Sequence, residues 1–453
     1  MTIARGPRVA FAAILAISFA NVFSPAVAEL SISAYDLIEL QIAYTTLLAV
    51  YYKPVAPQTL VDGARTGVAA ELVARGVRDV ALPYVPANID RGRGSDFIDA
   101  LVLRTLARGR GRLDGHRLVE AAVAGELAAL HDPYTIAFRP KQFAKFNAFL
   151  GNETFGGIGA IVSYDAATAA ARIDRVLPDS PASVAGVRPG DAIVAIDGRT
   201  VGAIGGAALR DALRGRIGST VRLEIVRGDA QQSVAIVRAK LHDPEVRSVL
   251  LRDVGYLALA RFGDRAGAEV AAAIADLRAR GATAFVLDLR GNGGGYGDEA
   301  TAVAANFIAG PIFITRDRSG VARVARATMH VPFPEPLAVL VDGDTASAAE
   351  IVAGALQDAK RATIVGTRTF GKGLVQSVFP LPDGSALKIT TARYTTPAGR
   401  DIDRVGIVPD VVAKDAPGTV RGDPARDVDL ATAIALLRTP SANTPRTTGQ
   451  RGL

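Results

Sequence analysis

The sequence contains no cysteine. A disulfide framework, a thiolate metal site and a cysteine nucleophile are therefore excluded. The compartment stays open, because an exported protein can do without disulfides. Histidine is scarce, with four in 453 residues. His116 and His131 fall in a helical N-terminal region, His242 in a linker and His330 in a Pro-rich loop. None has an acid in a suggestive context, which disfavours a Ser-His-Asp triad. No block of Lys or Arg stands out either. The net charge of +7 comes mostly from scattered arginines, without the basic-and-aromatic pattern of a nucleic-acid binder. Metal chemistry has no H-E-x-x-H to rest on, and no cofactor or metal is expected. The apolar run from Val9 to Val22 is shorter than the roughly 20 residues of a membrane span. Arg5 and Arg8 precede it and Ala26-Val27-Ala28 follows, the layout of a signal peptide with its cleavage site. A signal peptide over residues 1–28 places the bulk of the chain outside the cytoplasm, periplasmic or extracellular. Left uncleaved, it would serve as a membrane anchor.

What is present divides the rest into regions of different period. Residues 29–148 read as helical, with Ala-rich stretches at Val61 to Leu72 and Leu118 to Leu130 carrying apolar residues three and four apart. Arg91 to Gly94 and Arg108 to Arg112 read as loops. Residues 149–244 change to short strands at Ile158 to Ser163, Ala171 to Val176, Asp191 to Asp197 and Thr220 to Val226, with one helix at Ala207 to Leu213. Residues 245–415 alternate helix and strand. Ala284 to Leu289 and Leu337 to Val341 are continuous apolar strands of the kind buried on both faces, and Ala266 to Arg280 and Ala346 to Lys360 are helices. That alternation predicts βαβ units and a mainly parallel sheet. Residues 416–453 hold one helix, Asp427 to Leu437, and a disordered Thr/Pro/Arg-rich tail. The expected fold class is α/β multidomain: a helical N-terminal region, an inserted β-rich sandwich or barrel, and the parallel-sheet core.

Three segments carry chemistry. In Asp342-Gly-Asp-Thr-Ala-Ser347-Ala-Ala-Glu-Ile a buried strand ends in a turn and a helix begins. Ser347 there is either a helix N-cap or a nucleophile in the positive field of the helix N-terminus. In Gly366-Thr-Arg-Thr-Phe-Gly371-Lys372-Gly373 the pattern nearly matches a P-loop, but glycine replaces the magnesium-binding hydroxyl and an extended, proline-bearing segment follows. Nucleotide binding is disfavoured, which leaves a lysine flanked by glycines. A lysine can serve as base for a serine. It titrates near ~10.4 when free, and lowering it to near 7 costs roughly 4 kcal/mol. Burial can supply that much. The third segment, Leu289-Arg290-Gly291-Asn292-Gly293-Gly294-Gly295, follows a buried strand. It is either an oxyanion hole or a plain flexible turn.

Together and in this order, these segments resemble the C-terminal processing peptidases, a serine-peptidase family that includes the tail-specific proteases. Asp132-Pro-Tyr-Thr, Phe155-Gly-Gly-Ile-Gly, Ser180-Pro-Ala-Ser-Val-Ala-Gly-Val-Arg-Pro-Gly-Asp and Gly406-Ile-Val-Pro-Asp extend the likeness. The resemblance implies an endopeptidase cutting proteins near their C-termini, with Ser347 as nucleophile, Lys372 as general base and Gln376 orienting the lysine. It implies an oxyanion hole from the backbone N–H of Ala348 and of Gly293 or Gly294. Asp358 matches an acidic position that matters in some members and is otherwise a helix-surface charge. Glu350 is either a partner for Arg290 or an ordinary helix residue. The β-rich module would be a PDZ domain that binds a free C-terminus by strand addition. Gly157, Ile158, Gly159 and Ala160 would face the carboxylate, and Leu209 and Leu213 would either line a side-chain pocket or serve only as core. The Arg/Gly-rich insert at 86–115 matches nothing in the family pattern, which leaves an adaptor protein or a second copy of the chain as partners to consider beside the peptide substrates. A catalytically inactive PDZ scaffold on a peptidase-like fold is the competing function.

Overall fold

The computed structural model describes residues 2–4 and 31–438, apart from 110, 152–154, 166–169, 178–179, 242, 328–333 and 417. Most of the expected signal peptide and the whole Thr/Pro/Arg-rich tail lie outside the described residues. The chain divides into two compact units, one of residues 1–150 and 245–453, the other of residues 151–244.

In the larger unit, helices Ala34–Val50, Pro57–Ala74, Arg91–Arg108 and Gly115–Ala128 come first. Side-chain caps start three of them: Ser33 with Asp36, Asp90 onto the Arg93 N–H, and Asp114 onto the Arg117 N–H. Arg91 to Gly94, expected as a loop, is the first turn of a helix. Asp90 caps it, and Gly94 is there for space rather than flexibility: a Cβ would meet the Tyr44 hydroxyl at 1.9 Å. Leu40, Leu47, Leu60, Val68, Leu101, Val102, Leu118 and Val119 fill the core between these helices.

The rest of the same unit holds two sheets. One runs Val246–Leu251, Val254–Leu259, Ala284–Asp288, Leu337–Val341, Thr363–Gly366 and Val411–Val412. Its first pair is antiparallel and the rest are parallel. Ala284–Asp288 and Leu337–Val341 are buried at every residue, as the unbroken apolar runs require. The second sheet contains Leu374–Pro380, Ala386–Thr395, Gly310–Asp317 and Ala322–Ala327, paired antiparallel. The expectation of one mainly parallel sheet therefore needs correcting. Short hairpins join these later strands, and hairpins give antiparallel neighbours.

The smaller unit is a five-strand meander-like sheet in the order Ala160–Asp165, Ala170–Val176, Ala192–Ile196, Thr220–Arg227, Ala230–Val237, with Arg199–Thr200 beside the third strand. Helix Val201–Leu213 packs on it, and Ile158, Ile173, Ile193, Leu209, Val221, Leu223 and Ile225 form its core. Among the described residues, Ala160–Asp165 pairs on one side only and is an edge strand.

Candidate active site

Strand Leu337–Val341 delivers the chain to a turn, and helix Ala348–Asp358 leaves it. The turn is built by Asp342 and Thr345. The Asp342 carboxylate accepts from the Asp344, Thr345 and Gly291 N–H groups, and the Thr345 hydroxyl donates to the Leu289 carbonyl. Ser347 is fully buried, with φ 61° and ψ −113°. A non-glycine residue held there carries on the order of 1–3 kcal/mol of strain and occurs mainly at functional sites. The Tyr394 hydroxyl donates to the Ser347 carbonyl at 3.1 Å.

Glu350, one turn into the helix, is fully buried. One of its oxygens accepts from the Ser347 N–H at 2.7 Å and the Lys372 N–H at 2.9 Å. The other accepts from the Thr369 hydroxyl at 2.5 Å and the Gly371 N–H at 2.7 Å. This carboxylate ties the serine turn to the lysine loop. It is not the partner of Arg290, because the backbone N–H groups around it already fill its acceptor positions. Gly371 has φ 86°, and a Cβ there would strike the backbone of Arg404 to Gly406, so the lysine loop can pass only as glycine.

Lys372 is 6% exposed, and its Nζ sits 4.5 Å from the centre of the Tyr134 ring. Burial, and then the nearby Lys388, lower its pKa to about 7 against the opposing pull of Asp132 and Glu350. Lys388 is also buried and also lowered, by burial. Asp132 and Tyr134 stand in the Asp132-Pro-Tyr-Thr motif with no role that sequence alone assigns, and Lys388 stands in none of the segments singled out above. A second lysine at alternating spacing in a strand offers no signal until the fold brings it beside the first.

Gln376 makes no hydrogen bond to Lys372. Its amide donates to the Thr390 hydroxyl at 3.4 Å, and its Oε1 is buried with no partner. In the glycine loop the Gly294 N–H donates to the Asn292 side chain at 2.9 Å. Asn292 itself is fully buried, with its amide on the Leu259 carbonyl and its own carbonyl accepting from the Ala346 N–H. Arg290 binds four carboxylates: Asp288 at 2.6 Å, Asp427 at 2.7 Å, Asp415 at 2.8 Å and Asp429 at 3.2 Å. Asp358 accepts from the Ala398 N–H and pairs with Arg400, anchoring that turn. Backbone residues Thr2–Ala4 form a strand parallel to both Gly295–Tyr296 and Leu374–Pro380, with Ile3 opposite Gln376. An extended chain therefore fits between the glycine loop and the strand that follows the lysine. A cleft of about 620 Å³ nearby is lined by Tyr52, Asp132, Tyr134, Leu374, Arg393 and Arg404.

In the smaller unit, Leu209 and Leu213 are 5% and 8% exposed and lie in the core with Ile158. Gly157 ends a short strand paired with Ala239–Leu241, and Gly159 has φ 77° before Ala160 opens the edge strand.

Known proteins were compared with this chain. The family model described as "Peptidase family S41" matches residues 253–413, and that of the PDZ domain matches 172–227. The carboxyl-terminal-processing protease of Picosynechococcus sp. is 37% identical over 303 residues, covering 65% of this chain and 73% of the relative. The carboxy-terminal-processing protease of Bartonella bacilliformis is 38% identical over 313 residues, covering 66% and 70%. A solved structure titled photosystem II D1 C-terminal processing protease is 27% identical, covers 86% of this chain and 96% of its own, and superposes with a TM-score of 0.46. With relatives this similar over this share of their length, the chain belongs to peptidase family S41, the serine-type carboxyl-terminal processing proteases.

Proposed function

We propose that this peptidase is exported and hydrolyses protein substrates near their C-termini through a Ser347–Lys372 dyad. The observation that carries the reading is the environment of Lys372: buried, facing an aromatic ring, lowered to about 7, and tied through Glu350 to the backbone of Ser347. At neutral pH a good fraction of such an amine is unprotonated. It takes the proton from the Ser347 hydroxyl as Oγ bonds to the scissile carbonyl carbon. The carbonyl oxygen becomes an oxyanion that the N–H groups of Ala348 and of Gly293 or Gly294 stabilise. Collapse breaks the C–N bond, and the leaving amine takes the proton back from Lys372. Water then attacks the acyl-serine ester with the lysine again as base, which frees Ser347. Gln376 Oε1, without a partner among the described residues, would accept from a substrate N–H in the slot that Thr2–Ala4 fills.

The smaller unit would hold the substrate's free C-terminus as an added strand on Ala160–Asp165, with the carboxylate at the Gly157–Gly159 turn. Export rests on the charged and apolar leader that ends at Ala28. Among the described residues no helix is long and apolar enough to cross a membrane.

The test is Ser347→Ala together with a serine-reactive phosphonate probe. The wild type is expected to label at Ser347 and cleave, and the variant to do neither while melting at a similar temperature. Cleavage by the variant within tenfold of wild type rules out the nucleophile, and an unlabelled, inactive wild type favours the scaffold. Free-acid peptides are expected to bind Ser347→Ala more tightly than amidated ones, because a carboxylate facing N–H groups makes charge-assisted bonds. Equal affinity in a calorimetric titration would refute the carboxylate turn.

A further inference from the structure

Away from Ser347, the first and fourth helices bring together side chains with the makeup of a metal centre. Asp36 and Glu39 are three apart on Ala34–Val50, so they share a face. His116 lies on Gly115–Ala128. One donor atom from each of the three lies within 4.8 Å of the other two. His116 Nδ1 is 2.7 Å from one Asp36 oxygen. The other Asp36 oxygen accepts from the Ser33 N–H and hydroxyl, which fixes the carboxylate's direction.

Glu39 distinguishes this group from an ordinary surface ion pair. It is only 8% exposed, it accepts no hydrogen bond among the described residues, and its carboxyl points into the group. Glu120 stands 3.9 Å from His116 Nε2, and Asp383 also faces Glu39. Against these four acids stand His116 and Arg139, and Arg139 is taken by Glu120 at 3.0 Å. Burial, and then Asp383, pushes the Glu39 carboxyl up to about 7. A cation at the point the three donors share would neutralise the acids gathered there.

We propose that Asp36, Glu39 and His116 bind a divalent transition-metal ion that staples the first helix to the fourth. The donor set selects the class. Imidazole with two carboxylates suits Zn²⁺, whereas Mg²⁺ and Ca²⁺ favour oxygen alone. Asp383 lies in the turn between Leu374–Pro380 and Ala386–Thr395, so the same ion would draw the strand that follows Lys372 toward these helices. This site is separate from the proposed hydrolysis and stands or falls without it.

The test uses the full chain stripped with a chelator and titrated calorimetrically with Zn²⁺, with a thermal melt at each end point. One Zn²⁺ per chain and a higher melting temperature are expected. His116→Ala and Glu39→Gln should each weaken binding by at least about tenfold and remove most of the rise. His116 is half-exposed and glutamine keeps the size of Glu39, so both variants should fold without the ion. Unchanged Zn²⁺ affinity in both variants, absence of saturable binding, or equal binding of Mg²⁺ would overturn the proposal.

Discussion

Two cations in the peptidase unit, Lys372 at 6% exposure and Arg290 at 7%, are buried to the same degree and held in opposite ways. Burial disfavours the charge on both. Around Arg290 that effect is more than reversed by the hydrogen bonds it donates to Asp427 and Asp288, and the guanidinium stays above its ordinary value. Around Lys372 the largest influence after burial is another cation, Lys388, while Asp132 and Glu350 only partly oppose it. Glu350 is near enough to matter, but its oxygens are spent on backbone N–H groups and the Thr369 hydroxyl. A buried cation ringed by carboxylates is a strut, and one whose charge burial and a like charge disfavour suits the proposed role of base. The strut serves the base. Arg290 stands two residues before Asn292, and its partners Asp415, Asp427 and Asp429 come from the C-terminal segment. That segment therefore holds the glycine loop of the proposed oxyanion hole in place. Arg421 adds a second tie through Asp342, which accepts from the Gly291 N–H.

The sharpest way to break this comparison is to give the base position a strut's side chain. Lys372→Arg is expected to be as inactive as Lys372→Ala, each by at least about 10³-fold in kcat/KM, because guanidinium stays protonated at any usable pH. Substantial turnover by the arginine variant would remove lysine as the base. Stability should move the other way. The folded-state pKa is below the unfolded one, so the unfolded chain binds the extra proton between about 7 and ~10.4. The penalty is full below about 7 and fades as pH rises through that window. Lys372→Met should therefore melt higher than wild type at pH 6, with the advantage shrinking by pH 9.

Next in size is removal of the strut. Arg290→Met leaves four carboxylates without their cation and should destabilise the fold by about 3–5 kcal/mol. Asp427→Asn is the gentler form. In urea titrations and in kinetics well below the melting point, it should lower kcat while KM stays near wild type, since the loop it steadies meets the transition state. A change in KM alone would mean that the C-terminal segment acts on substrate binding instead.

Local pattern carried some of this and not the rest. The turn holding Ser347 was legible because a continuous apolar strand, a Gly-Asp turn and an Ala-rich helix follow one another without interruption, and the structure puts strand and helix at Leu337–Val341 and Ala348–Asp358. The extended segment after Lys372 was legible from its β-branched residues and prolines, and forms Leu374–Pro380. The partners of Arg290 were not, because three of the four carboxylates lie more than 120 residues away in sequence. Of the two roles open to Glu350, the pairing with Arg290 was suggested by charge alone, and the backbone N–H groups of Ser347, Gly371 and Lys372 together with the Thr369 hydroxyl take up that acid. The reading of Arg91–Gly94 as a loop failed for a related reason. Two glycines look like a break until Tyr44, on another helix, is seen to need the space.

A smaller effect tests the serine turn. If the Ser347 conformation is strained, Ser347→Gly should raise stability by about 1 kcal/mol, because glycine takes positive φ without penalty, and Ser347→Ala should not. Equal stabilities of the two variants by urea titration would mean the turn holds no strain for the nucleophile.

The finest test tunes the base without touching it. With chemistry rate-limiting, kcat/KM of the wild type should rise with pH around a midpoint near 7, as Lys372 gives up its proton. Lys388→Gln removes the like charge that helps hold Lys372 down, so the lysine keeps its proton to higher pH. The rising limb should shift upward while the plateau above it stays where it was. Asp132→Asn removes a charge that favours the ammonium, and should shift the limb the other way. Neither variant alters the amine, so the two profiles should bracket the wild type and converge at high pH. Shifts in the same direction, or plateaus that differ as much as the limbs, would mean that these residues act on substrate binding or packing. The lowered pKa of Lys372 would then rest on burial alone.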